Sequence, residues 1–287
     1  MKGAGDTLAA AEEFVLREAR VLDRHRFAFR FGGGSAEAAV AAVLAYRNDD
    51  GGFGHALEPD LRGAASQPVP VEHALHVLDE VGWFDDDLVA AACDWLESVS
   101  TAEGGVPFVL ASVSAGPHAP WWVATGDASP NPTAGIAGLL HKHRVEHPWL
   151  ARATDYCRRV LRERVAGLGA DDAISVLTFV EHAPDRDASV VDALGARIRG
   201  GLVALAPDAP GYVKSPLDFA PHPAVLARTL FDDATIEAHL DALAAKQQED
   251  GGWPITWDPP SAAAVNEWRG FMTVSALTVP EAYGRLR

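Results

Sequence analysis

With 287 residues and 48% hydrophobic side chains, the chain has ample material for a buried core, either as one large domain or as two small ones. Its 40 acidic and 24 basic residues leave a formal charge of −16. That balance argues against nucleic acid, which needs basic patches, and disfavours an anionic membrane surface.

In chain order the first expected helix is 7–28, capped by Asp6 or Thr7. Arg17 and Arg20 interrupt its apolar stretch, so it does not read as a signal segment. An alanine-rich helix over 35–47 follows, capped by Ser35, and then a Gly51-Gly52 turn and an irregular stretch over 54–69. Helices are expected at 70–82 and 85–99, the second with a stripe of Leu88, Val89, Ala92, Trp95, Leu96 and Val99. An irregular stretch over 107–129 carries Trp121 and Trp122. Helices at 132–144 and 148–165 lead to 171–183, which is apolar nearly all round and therefore expected to be buried. Further helices are expected at 187–206, 222–231 and 233–247, and a last one from near Gly270 that Pro280 should kink or end. More apolar helices thus alternate with striped ones, which predicts an inner and an outer layer, with 7–28 in the inner one. No Ser/Gly-rich linker divides the chain, so a single domain over 1–287 is expected. No apolar run reaches membrane-spanning length, and Cys93 and Cys157 read as buried reduced thiols, so the expected setting is the cytoplasm.

One phrase recurs. Arg47-Asn48-Asp49-Asp50-Gly51-Gly52-Phe53 returns as Gln247-Gln248-Glu249-Asp250-Gly251-Gly252-Trp253, with a reduced copy at Thr101-Ala102-Glu103-Gly104-Gly105-Val106. The glycine pairs are offset by 104 − 51 = 53 and 251 − 104 = 147, which is three steps of 49. A period near 50 signals a repeat architecture. Paired glycines supply helix-ending backbone angles, the aromatic after them can plug the gap between hairpins, and the Gln248 amide can bond a neighbouring helix end. Gln248-x-x-Gly251-x-Trp253 resembles the repeat motif of squalene–hopene cyclases, and the Gly-Gly-aromatic turns are similar to those of protein prenyltransferase β subunits. Both belong to the terpenoid cyclase/protein prenyltransferase superfamily. The resemblance implies an all-α, (α/α)6-like toroid of helical hairpins that takes an isoprenoid or other apolar substrate, with protonation-initiated cyclisation among the activities open to it.

The resemblance directs attention to an Asp-x-Asp-Asp-like acid. The nearest sequence is Gly169-Ala170-Asp171-Asp172, in which Gly169 stands where the first Asp would be. Asp171 and Asp172 are therefore candidate proton donors, or simply caps of the helix they open. Glu58 and Asp60 form a second acidic candidate, with His55 beside them and His73 and His76 on the next helix. Trp121, Trp122, Tyr212, Trp257 and Trp268 are candidate walls of a binding site, and Glu267 and Arg269 candidate polar lining. Asp155, Cys157 and His222 carry prenyltransferase-type zinc ligands in name, but two residues apart on a helix Asp155 and Cys157 face different sides, so no metal and no cofactor is expected. Two other classes stay open: a non-catalytic hydrophobic-ligand-binding or scaffold toroid, and a carbohydrate-active (α/α)6 enzyme using Glu58 or Asp60 with tryptophan platforms.

Overall fold

The structure, a computed structural model, describes residues 4–286. Among these residues it is all-α, with twelve α-helices, a few short 3₁₀ turns and no sheet. The helices are α1 (Ala4–Glu18), α2 (Val21–Phe31), α3 (Ala36–Leu44), α4 (Pro68–Glu80), α5 (Asp86–Val99), α6 (Pro130–Lys142), α7 (Pro148–Glu163), α8 (Ala170–His182), α9 (Ala188–Arg199), α10 (Pro216–Phe219), α11 (Asp233–Ala245) and α12 (Ala262–Ala282). No described helix is long and apolar enough to cross a membrane.

Four expectations change. The single helix expected over 7–28 is two, because Arg20 adopts an extended conformation (ψ 155°) and its guanidinium turns onto Asp23 in the first turn of α2. The helix expected over 222–231 shrinks to a 3₁₀ turn over Leu226–Leu230, since Pro221 and Pro223 deny the chain a continuous hydrogen-bond ladder. The helix α9 stops at Arg199, ahead of Gly200 and Gly201, rather than reaching 206. The last helix starts eight residues early, where the Ser261 hydroxyl accepts the Ala264 amide (3.2 Å), and it runs through Pro280 to Ala282.

The chain divides into two compact units: residues 43–202, and residues 1–42 with 203–287. In the first, α4, α6 and α8 run parallel and in register. A Cβ on Gly135 of α6 would lie 1.8 Å from Glu72 Oε1 of α4 and 3.5 Å from Ser175 Oγ of α8. Seven residues further along two of these helices (72 + 7 = 79, 135 + 7 = 142), Lys142 Nζ sits 2.7 Å from Asp79 Oδ1. The same step along α8 (175 + 7 = 182) reaches His182, which feels the charges of both. Gly138 lets α6 pass so close to α8 that an added Cβ would sit 2.5 Å from the Thr178 backbone. The striped helices α5, α7 and α9 form a second layer, pinned where Trp149 Nε1 donates to Ser100 Oγ (2.7 Å) and His147 meets Asp94 (3.1 Å).

In the other unit α1 packs on α2 and α12 around a core of Phe14, Val15, Phe27, Trp253, Val274 and Leu277. Trp253 is buried and its indole N–H donates to the Leu243 carbonyl (2.8 Å), so it fills the gap between helices as expected.

The three Gly-Gly phrases adopt one geometry. In each, the first glycine has a positive φ (91°, 93°, 91°) and its amide bonds back to residue 48, 101 or 248 at 3.0–3.1 Å. The amide of that residue donates to the second glycine's carbonyl at 2.9 Å. Each turn then lies flat on a helix. Gly51 abuts Ala91 of α5, Gly104 abuts Arg152 of α7, and Gly251 abuts Ala10 of α1. The second glycine of each pair meets the aromatic four residues later on that helix: Trp95, Tyr156 and Phe14. Helix α1 therefore stands to the third turn as α5 and α7 stand to the first two. The amide that reaches a helix backbone is that of Gln247, donating to Thr7 O (2.9 Å), and Gln248 instead accepts from Arg269 (2.6 Å).

Candidate functional site

The residue chemistry gathers at the N-terminal ends of α4, α6 and α8. Glu72 sits there, buried between the three helices, with only the hydrogen of Gly135 separating it from the α6 backbone. Burial pushes its carboxyl up to about 8. A hydrogen bond with Ser175 opposes the rise, and the negative charge of Asp171 adds to it. At neutral pH Glu72 thus carries a proton and can act as a hydrogen-bond donor or general acid.

Beside it the irregular segments 54–69 and 107–129 are stitched together. Asp60 O accepts the Ala119 amide (2.9 Å), the Arg62 amide donates to Pro117 O (2.9 Å), and the buried Gln67 side chain bonds both Ser112 and the Leu110 amide. Glu58 and Asp60 are buried at this seam. Glu58 Oε1 accepts the Asp60 amide (3.3 Å), and Oε2 lies 3.5 Å from His73 Nδ1. Trp122 is buried against Phe108 (centroids 4.9 Å apart), within an apolar cluster of Leu61, Val69, Val109 and Val113. Trp121 is exposed. His55, at φ 55°, is exposed and bonds Asn48 Oδ1 (2.8 Å) at the edge of a broad open groove of about 540 Å³ whose lining includes Asp49, Asp50, Ser66 and Trp95.

Asp171 is exposed in the first turn of α8. Asp172 is half-buried, and its carboxylate accepts the Gly169 amide (3.2 Å), the geometry of a helix cap. Burial still raises its carboxyl above the ordinary range, against the hydrogen bonds from Gly169 and Asn131.

The other sequence candidates belong to the second unit. Tyr212, Trp257, Trp268 and Phe271 form a chain of nearly perpendicular rings, with centroids 5.8, 5.1 and 5.6 Å apart. The Arg26 guanidinium covers Phe271 at 4.9 Å, and with Arg20 it grips the fully buried Asp23 carboxylate (3.0 and 2.8 Å). At the exposed end, Lys214 Nζ donates to Tyr212 Oη (2.9 Å). Glu267 is half-buried on α12. Arg269 faces the third turn, where it forks onto Asp250 (2.8 and 2.9 Å), bonds Gln248 and the Trp253 carbonyl, and covers the Phe14 ring at 4.5 Å.

The structure therefore brings Glu58, Asp60 and His73 together, and separately Tyr212, Trp257 and Trp268. Sequence reading missed Glu72, Ser175, Asp23 and Arg26. The signal for Glu72 was a lone acid inside the apolar run Val69 to Leu78, and for its pocket the spacing Gly135-x-x-Gly138. Cys157 is buried two residues from Asp155, and among the described residues no group of three or more His, Cys, Asp or Glu could hold a metal.

No family model and no curated protein matches the chain. Among solved structures it is similar to a protein from Actinoplanes, with a TM-score of 0.59 and 16% identity over 97% of this chain and 90% of that one. That likeness extends the fold, and nothing beyond it, to a second protein.

Proposed function

We propose that the chain is a small toroid of helical hairpins, of the terpenoid cyclase and prenyltransferase kind, that holds an isoprenoid or similarly apolar molecule and delivers a proton to it from Glu72. The order of the helices supports the architecture. Striped and apolar helices alternate from α1 to α12, and α1 supplies the outer member that the third turn would otherwise lack. One observation carries the chemistry: the Glu72 carboxyl is buried between α4, α6 and α8, and that burial pushes it up to about 8. A proton held away from water is available to a bound ligand, and a well-placed general acid contributes about 10²–10⁴ in rate. Glu58 and Asp60, with His73, would set the polarity of the neighbouring seam; Asp171 would act through its charge on Glu72. The buried cysteines suit the reducing cytoplasm.

The test compares Glu72→Gln with the parent for binding and turnover of a prenyl diphosphate and of a polyprene. Glutamine keeps the shape and hydrogen bonding of the neutral acid, so binding should persist while turnover falls at least about a hundredfold. Equal turnover would remove Glu72 from the chemistry, and failure of both molecules to bind would remove the substrate class. A non-catalytic scaffold is the second reading, favoured by how many polar groups, Asp172, Asp50 and Arg269 among them, are spent on holding turns and helix ends.

A further inference from the structure

A second pocket, of about 170 Å³, lies in the 43–202 unit between α7, the end of α8 and the start of α9. Its floor is apolar, made by the buried side chains of Leu161, Phe179 and Val180. Three guanidinium groups stand on its rim. Arg158 and Arg162 project one turn apart from α7, and Arg186 comes from the connection between α8 and α9. Such a concentration is conspicuous in a chain of formal charge −16.

The three differ in how firmly they are held. Arg186 closes the C-terminal end of α8, donating to Val180 O (3.0 Å) and Glu181 O (2.6 Å). Arg158 makes only long contacts, 3.4 Å to Pro184 O and 3.6 Å to the well-exposed Asp185 carboxylate. Arg162 is exposed and makes no hydrogen bond or ion pair among the described residues. The other rim acid, Asp187, accepts from the Ser189 amide (2.9 Å) and hydroxyl (2.7 Å).

We propose that this pocket binds a small organic carboxylate with a compact apolar body, such as an aryl or branched-chain acid. The body rests on Phe179 and Val180. The carboxylate takes the forked donors of Arg158 and Arg162, and Arg158 exchanges its two long contacts for a shorter charged pair. Size suits this class, because an apolar cavity of about 150 Å³ accommodates one benzene ring. The site is independent of the Glu72 cluster and of any turnover there.

Calorimetric titration of the whole chain with benzoate tests the proposal, with benzamide as the uncharged analogue and acetate as charge without a body. Benzoate should bind, and the two analogues should each bind at least about tenfold more weakly, as expected when a charged hydrogen bond or its apolar partner is lost. Arg162→Ala should weaken benzoate by about tenfold or more. Ala183→Leu, which fills the pocket without changing charge, should abolish binding. If Ala183→Leu fails to fold by circular dichroism, the exposed Arg162 variant decides alone. No heat at millimolar benzoate, equal affinity for benzamide, or parental affinity in Arg162→Ala would overturn the assignment.

Discussion

Burial moves the Glu72 carboxyl from an ordinary 4.5 to about 8, so between those pH values the folded chain holds a proton that the unfolded chain has released. Stability must then fall as pH rises through that window, because the native state binds more protons than the unfolded one. At about 1.4 kcal/mol for each tenfold difference in proton affinity, the change amounts to several kcal/mol. Glu72→Gln removes the titrating group, so its melting temperature should lose less than the parent's between pH 5 and about 8. Parallel curves for the two proteins would show that Glu72 titrates normally. Trp253→Ala is a simpler loss. It empties a buried site among Phe14, Val15 and Leu277 and should cost roughly 3–5 kcal/mol in denaturant unfolding. Trp253 was legible because its motif repeats. Glu72 was not, because the groups that give it meaning, Gly135 and Ser175, lie 135 − 72 = 63 and 175 − 72 = 103 residues away. Arg269 is a different case. Its type and position suggest either a polar lining or a tie between loops, and in the structure its guanidinium bonds Asp250 and Gln248.

Among the elements, packing between α6 and α8 gives the sharpest expectation. A methyl on Gly138 would meet backbone atoms of Thr178 and Phe179 at 2.5–2.7 Å, and backbone cannot swing aside. Gly138→Ala should therefore cost about 1–3 kcal/mol, whereas the same change at Gly135 displaces only the end of the Glu72 side chain and should shift the Glu72 titration as much as the stability. The reduced middle turn offers another test. Gly104 has φ 93°, and its Cβ would lie 2.7 Å from Arg152 O, so Gly104→Ala should destabilise in the same direction as Gly51→Ala, although its phrase keeps so little of the motif. Most helix positions were legible from apolar periodicity. The failures had local causes that periodicity does not register: an extended Arg20 drawn to Asp23, and two prolines flanking His222. The worn copy kept its shape because the turn is made by backbone hydrogen bonds and two glycines, which leave the neighbouring side chains free to vary.

On the scale of the whole molecule, the two units differ in how the chain supplies them. Residues 43–202 are contiguous, whereas the other unit joins 1–42 to 203–287. Helix α1 lies at one end of the chain and its partners at the other: Gln247 reaches Thr7 across 240 positions, and Arg30 pairs with Glu281 across 251. Helix α1 is made well before α12, so its apolar face of Ala11, Phe14 and Val15 has only α2 for cover until α12 follows. The contiguous unit can complete its contacts while translation continues, because domains with local connectivity assemble early. The split unit must wait, and closing so long a loop slows its assembly. Pulsed hydrogen exchange during refolding should accordingly protect α6 and α8 before α1. In the interval α1 shows a half-covered, sticky apolar face, which gives a chaperone something to hold.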